Sequence, residues 1–364
     1  MNDYPRNSIG YIVSAFRLLR HFRSLFVLFS LLLSTMYANE LSDVHGRLRI
    51  VTFNVHCLAA PNTRATRIPR FRWDPARVDH LERVANVIET LEPDILNLLE
   101  VTSAESITAL IDILHAKGLH EYQGYHVECG DKFTGFDVAL ITRLEPDVVD
   151  GQSIRCLISP PGDMTWREKY RFTDDRGKQH ERETTLARHG LYYFTLGSHR
   201  LGFLGVHLKA DPSDDYSNQR RGGETQVAQR IIQQEIVARG YVPIVLGDLN
   251  DYDPDVPDRD ETRSTQTTVL MDIKNFDSSS PEYELINPAD RIVRVADRYT
   301  SHWDVNENGS ADTLDVFTMI DYILLHARLA PAIDRVFVSR CFGLATSDHW
   351  PVVVDLNLGE LGTE

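Results

Sequence analysis

The sequence predicts a mixed β-sheet system with helices packed outside it. Over residues 47–118, apolar β-branched runs alternate with helical apolar spacing. Beyond residue 120 the apolar runs come mostly as strands in pairs, without long helical segments between most of them. A chain of 364 residues with 42% hydrophobic composition can also bury one large core.

The elements follow in order. RLRIVTFNV (47–55) reads as a buried strand, followed by an Arg- and Pro-rich loop over 59–77. Leu81, Val84, Ala85, Ile88 and Leu91 fall at helical spacing, and Pro93 stops that helix. DILNLLEV (94–101) is a second buried strand. Thr102 and Glu105 fit a capping box for a helix that ends at Gly118. Short strands are expected at YHVEC (125–129), FDVALITR (136–143) and IRCLI (154–158), with a charged surface insertion or hairpin at 160–185. LYYFTL (191–196) and LGFLGVHL (201–208) fit a hairpin. A helix around 219–238 leads to the buried strand VPIVLGDLN (242–250). Residues 251–300 read mostly as loop, and MIDYILL (319–325), DRVFV (334–338) and PVVVDL (351–356) as late strands.

The first 38 residues stand apart. Four arginines precede the uncharged, Leu- and Phe-rich run 24–39, as in an export signal. That run is shorter than the ~20 apolar residues that span a bilayer, so an N-terminal membrane anchor is the alternative. The expected organisation is a signal at 1–38, a linker at 39–46, one domain at 47–357 and a tail at 358–364. The net charge is −15, which argues against a long basic groove for tight nucleic-acid binding. Four cysteines permit two disulfides in an exported chain, or buried thiols, and lack the C-x-x-C spacing of a zinc site.

The informative feature is where polar residues interrupt the apolar runs. Asn54, Glu100, His207, Asp248 and Asn250 end strands, Asp321 sits inside one, and Asp348 and His349 precede the last. An unpaired carboxylate is costly in such surroundings. Any one of these could be a satisfied core group, but strand ends converge in packed sheets, so together they fit one cavity. Carboxylate and amide oxygens suit Mg²⁺ or Mn²⁺, and the histidines suit proton transfer or phosphate binding. No G-x-S-x-G elbow, Walker loop or H-E-x-x-H pattern is present, which leaves water as the nucleophile.

FNV (53–55), LLEV (98–101), VHLK (206–209), LGDLND (246–251), IDYILL (320–325) and SDHWPV (347–352) resemble the ordered motifs of the endonuclease/exonuclease/phosphatase superfamily, the deoxyribonuclease I-like fold. The resemblance implies a four-layer α/β sandwich, two mixed β-sheets packed face to face with helices outside. It implies that Glu100 holds the metal with Asn54 and Asp348, and that Asp248 and Asn250 position water or phosphate. His349 would be oriented by Asp321, and His207 would be the second histidine with Asp137 as its carboxylate partner. Arg188 would reach a phosphate. The implied function is a metal-dependent phosphodiesterase, a secreted nuclease above all, with nucleic acid as substrate and a monomeric state. A phosphatase or lipid phosphodiesterase is the alternative, and a non-catalytic calcium module a third reading. Arg64, Arg67, Arg70 and Arg72 offer a local basic edge or a solvated loop.

A separate motif lies at DVNENGSADTLD (304–315). Asp304, Asn306, Asn308, Ser310, Asp312 and Asp315 fall at calcium-loop positions 1, 3, 5, 7, 9 and 12, with Gly309 at 6. It resembles dockerin-type loops, yet those need a following helix where the superfamily pattern needs a strand, and the strand is the expectation here. The alternatives are structural Ca²⁺ or an ion-free Asx/Gly loop.

Overall fold

The computed structural model describes residues 46–64, 68, 73–211, 214–260, 264–277, 279 and 284–361. The expected signal, nearly all of the linker, Arg67, Arg70, Arg72 and residues 362–364 lie outside the described residues. Arg47–Glu364 forms one compact unit. No helix among the described residues is long and apolar enough to cross a membrane.

β1 (Arg47–Leu58) sets the architecture by its period of two. Leu48 and Ile50 face a core shared with the second sheet. Val51, Phe53 and Val55 face α1 (Asp74–Leu91) and α2 (Ala104–Ala116) on the other side. Asn54 therefore continues the inner face. The first sheet runs β14 (Ile333–Val338), β15 (Val352–Asn357), β1, β2 (Ile95–Val101), β4 (Asp137–Thr142), β3 (Gln123–His126). The second runs β10 (Leu285–Ile286), β13 (Asp321–His326), β9 (Val242–Asp248), β8 (His199–His207), β7 (His189–Leu196). α3 (Asp215–Ile231) and α4 (Val269–Lys274) supply the fourth layer, with Val227, Ile231, Val269 and Ile273 buried in the second sheet's core. The fold is thus the four-layer α/β sandwich.

Helix placement follows strand direction. β1–β2 and β8–β9 are parallel, and the other named pairs are antiparallel. Parallel neighbours need a long crossover, which α1 and α3 provide.

A polar bridge crosses the dry space between the sheets. Asn97 donates to Thr52 Oγ1 at 3.1 Å and accepts from Tyr192 OH at 3.2 Å. Gly205 makes room for it, since a Cβ there would lie 2.0 Å from Asn97 Oδ1.

Several expectations are corrected. IRCLI forms only an isolated bridge, Arg155 to Leu191, because Cys156 is tied to Cys129 by a disulfide and Leu157 N donates to His189 Nε2 at 2.9 Å. Of the other cysteines, Cys57 is buried and Cys341 exposed. The cap of α2 is Ser103, which accepts from Ser106 N, while Thr102 donates back to Leu58 O at 2.8 Å. α1 begins at Asp74, inside the expected loop. α3 begins at Asp215, capped by Asp214, and ends in a π-turn over Ile232–Ile236. The 160–185 insertion is a hairpin of β5 (Glu168–Thr173) and β6 (Gln179–Thr184). The expected tail starts with a short turn, Leu358–Glu360, whose Leu358 is buried in the core.

Candidate active site

The polar strand ends meet at one end of the sandwich. In the second sheet, the register pairs His207 with Asp248 and Asp248 with Asp321. Gly247 allows this close pairing, because its φ is +136° and a Cβ would lie 1.9 Å from Val206 O. From the first sheet, Asn54 Nδ2 reaches across to Asp248 Oδ2 at 3.2 Å and to Glu100 Oε1 at 3.3 Å.

Glu100 reaches this cavity through an irregularity. Leu96 and Leu98 face the helices, so a straight strand would send Glu100 there too. Instead the register shifts at Leu99/Val101, Glu100 has φ 62°, and Val101 takes the helix-facing place. A bulge of this kind re-aims a side chain. Asn250, with φ 52°, is a second left-handed residue, and its N–H donates to Asp248 Oδ1 at 2.9 Å. Such backbone costs about 1–3 kcal/mol per residue and persists where surrounding structure enforces it.

The final loop is bonded from both sides. Ser347 Oγ donates to Asn54 O at 2.7 Å and accepts from His349 N at 3.0 Å. His349 Nδ1 meets Asp321 Oδ2 at 2.7 Å, and His56 Nδ1 meets Asp348 Oδ1 at 2.7 Å. Asp248, Asp321 and His349 offer ligand atoms that all lie within 4.8 Å of one another. Arg188 Nη1 lies 3.4 Å from His207 Nε2 and Nη2 donates to Leu208 O at 2.8 Å, while Asp131 Oδ2 is 3.9 Å from Arg188 Nε.

The electrostatics divide the groups by role. Burial pushes the Asp248 carboxyl up to about 7, with the adjacent Asp321 charge adding to it. Burial, and then the Asp348 charge, raise Glu100. Burial also opposes ionisation of Asp348, but the His56 hydrogen bond and the His349 charge outweigh it and hold the carboxyl low. His349 is buried as well, yet Asp321, Asp348 and Asp248 raise it well above the usual imidazole value. His207 is held well below that value by burial, and next by the Arg188 charge. The site therefore sets a cationic imidazole and a neutral one on either side of acids with unequal proton affinity.

All the candidates except Asp137 and the 304–315 set are gathered here. Asp137 accepts from Cys129 N at 2.9 Å and meets His126 Nε2 at 3.1 Å, because β4 places it beside β3. The carboxylate nearest His207 is Asp248, at 3.7 Å. Asn54 turns its amide NH₂ to the acids and its Oδ1 to His56 N at 3.1 Å, so it orients the acids. His56 was missed, although it lies two residues after Asn54 and so shares its parity. Asp131 was missed too, and as a loop residue it carries no periodic signal.

The 304–315 segment is an exposed hairpin loop between β11 (Ser301–Trp303) and β12 (Val316–Thr318). Its flanks are strands, unlike a dockerin, and its polar groups bond one another: Asn306 and Asn308 both donate to Asp312 Oδ2 at 2.8 Å. Asp315 turns away to His302 Nε2 at 2.8 Å. Nothing in this arrangement supports Ca²⁺.

The donor set at the strand ends fits a hard divalent cation. Its oxygens are carboxylates, of which Glu100 and Asp248 are raised by burial and then by the Asp348 and Asp321 charges respectively, and buried Asp321 Oδ1 has no hydrogen-bond partner among the described residues. The Cys129–Cys156–His189 group offers no thiolate, since its sulfurs are bonded to each other.

No protein with a curated description matches the sequence. Among solved structures, an AP endonuclease from Archaeoglobus fulgidus superposes with TM-score 0.52 at 16% identity, over 84% of this chain and 98% of that one. Truncated TDP2 from Caenorhabditis elegans gives TM-score 0.50 at 15% identity, over 86% and 99%. At such identities the likeness establishes the fold. The family model of the Endonuclease/Exonuclease/phosphatase family matches residues 51–349. The chain belongs to that family of phosphoester hydrolases, whose enzymes use divalent metals.

Proposed function

We propose that this protein is an exported, Mg²⁺- or Mn²⁺-dependent phosphodiesterase that acts on nucleic acid. The observation that carries this reading is the junction of Asn54 and Glu100 from one sheet with Asp248 and Asp321 from the other, closed by Asp348 and His349. Glu100 and Asp348 would hold the cation, steered by Asn54 and His56. When bound, the cation supplies positive charge against the charge that develops on the phosphate.

The chain's own groups divide the remaining work. Asp321 fixes His349 through Nδ1, so Nε2–H can donate to a phosphate oxygen. Asp248, with its carboxyl near neutrality, suits proton acceptance from the attacking water, and Asn250 sits beside it to position water or phosphate. Arg188, beside neutral His207, can meet a second phosphate oxygen. The acidic chain predicts weak, salt-sensitive substrate binding. The Cys129–Cys156 disulfide supports export, because such bonds persist in oxidising compartments.

A lipid phosphodiester is the second reading. Trp303 (71% exposed), Val305 and Leu314 lie bare on the β11–β12 hairpin, which bonds to the catalytic loop. Exposed apolar side chains beside a site suit an interface.

The test uses the mature chain with supercoiled plasmid and Mg²⁺, with and without chelator, and His349→Gln as the variant. Glutamine is preferred to alanine because alanine would leave buried Asp321 unpaired. Nicking that needs both the metal and His349 supports the nuclease. Intact plasmid with cleavage of sphingomyelin vesicles would replace it by the lipid reading.

A further inference from the structure

The His302–Asp315 pair is buried under the exposed hairpin. The two side chains are 4% and 0% exposed and 2.8 Å apart. Asp315 also accepts from Asp312 N at 2.8 Å and Val305 N at 3.3 Å, so one carboxylate closes the base of the whole loop. The His302 ring packs 5.0 Å from Phe317 and 6.4 Å from Trp350, the residue after His349.

The strand that carries His302 is bonded to both halves of the catalytic pair. Thr300 Oγ1 accepts from Asp321 N at 3.0 Å, and Thr300 O accepts from Trp350 N at 2.8 Å. His302 N donates to Asp348 O at 2.9 Å, and Ser301 bridges His349. Residues 300–302 thus form a strap between the start of β13 and the loop before β15. Those two segments supply Asp321 on one side and Asp348 and His349 on the other.

We propose that Asp315, acting through His302, is a positioning residue for Asp348 and His349. This rests on the functional reading above and deepens it. The strap is short, and its backbone is paired to β12 along one edge and to the catalytic loop along the other. The imidazole, fixed between Asp315 and two aromatic rings, sets its rotation, and its amide sets Asp348. The last residue of the acidic loop serves the active site from beneath. A catalytic imidazole misplaced by about 1 Å can lose ~10²-fold in rate.

The experiment measures kcat, KM and thermal unfolding on the phosphodiester that the wild type cleaves. Asp315→Ala is expected to lower kcat at least tenfold with KM within about twofold. Asp315→Asn, which keeps one acceptor oxygen for the ring and the Asp312 amide while losing the one that meets Val305 N, is expected to recover most of that loss. His302→Ala combined with Asp315→Ala should lose no more than either alone, as for two members of one device. Glu307→Gln, at the exposed loop, should change nothing. Wild-type kcat in Asp315→Ala overturns the proposal, as does a fall in kcat matched by loss of folded protein and absent from the folded fraction. A wild type inactive on every phosphodiester tested refutes the functional reading instead. Hydrogen exchange then decides the strap by itself: unchanged protection of the His302 and Trp350 amides in Asp315→Ala would refute it.

Discussion

Two acid-rich regions of this molecule behave in opposite ways. In the loop 304–314 the acids are close in sequence, partly or fully exposed, and occupied by neighbouring amides and asparagines. At the strand ends Asp248 and Asp321 are far apart in sequence, buried, and set side by side by strand register. The loop matches a ligand spacing, yet its groups satisfy one another. The strand ends match no local spacing, yet burial leaves their charge short of compensation. What separates them is desolvation: water screens the loop's charges, while Asp248 and Asp321 are buried at 3% and 1% side-chain exposure.

The largest effect that follows from this difference is on turnover. His349→Gln should lower kcat by ~10²–10⁴-fold while leaving the melting temperature nearly in place. His349→Ala should add a stability loss of about 3–5 kcal/mol by stranding Asp321, measurable by denaturant unfolding. Equal stability of the two variants would mean that the pair is not desolvated, and the contrast with the loop would weaken.

A second test lies outside the site, at buried His189. Its Nδ1–H donates to Leu186 O at 2.6 Å and its Nε2 accepts from Leu157 N at 2.9 Å, so the neutral ring is fully used. Burial depresses it from 6.5 to about 4. Below pH 6.5 the unfolded chain therefore takes up a proton that the folded chain refuses. Stability should fall as pH drops from about 6.5 to about 4, by about 3 kcal/mol in all, and this component should then level off. His189→Gln should remove that slope, and a slope that survives would assign it to another group.

Gly205→Ala comes next. The added methyl meets Asn97 Oδ1, and a cost of about 1–3 kcal/mol is expected in chemical unfolding. An unchanged midpoint would show that the bridge between the sheets can shift without loss. The smallest effect belongs to the loop. Asn306→Ala should change stability by less than ~0.5 kcal/mol, with or without Ca²⁺. A Ca²⁺-dependent rise in melting temperature that this variant abolishes would place an ion in the loop and erase the difference between the two regions.

Much of the fold was legible because alternating and helical apolar spacing are local signals. The strands around Asn54, Glu100, His207, Asp248 and Asp321 all lie where their apolar runs fall. IRCLI was not legible, since its partners are a disulfide and a histidine side chain rather than a strand. Asp137 was given to the wrong histidine because parity gives its face, not the identity of the neighbouring strand. The cavity-facing turn of Glu100 depends on a bulge that no residue type announces.

The sequence by itself determined which residues are polar within apolar runs, and hence which groups must find partners once buried. That follows from the cost of desolvation, which is a property of each side chain and its neighbours along the chain. Only the tertiary structure decided partners such as His56 for Asp348, Asp131 for Arg188 and His302 for Asp315. Partner choice depends on register, bulges and loop paths, which arise from contacts between segments distant in sequence, and local periodicity carries no record of them.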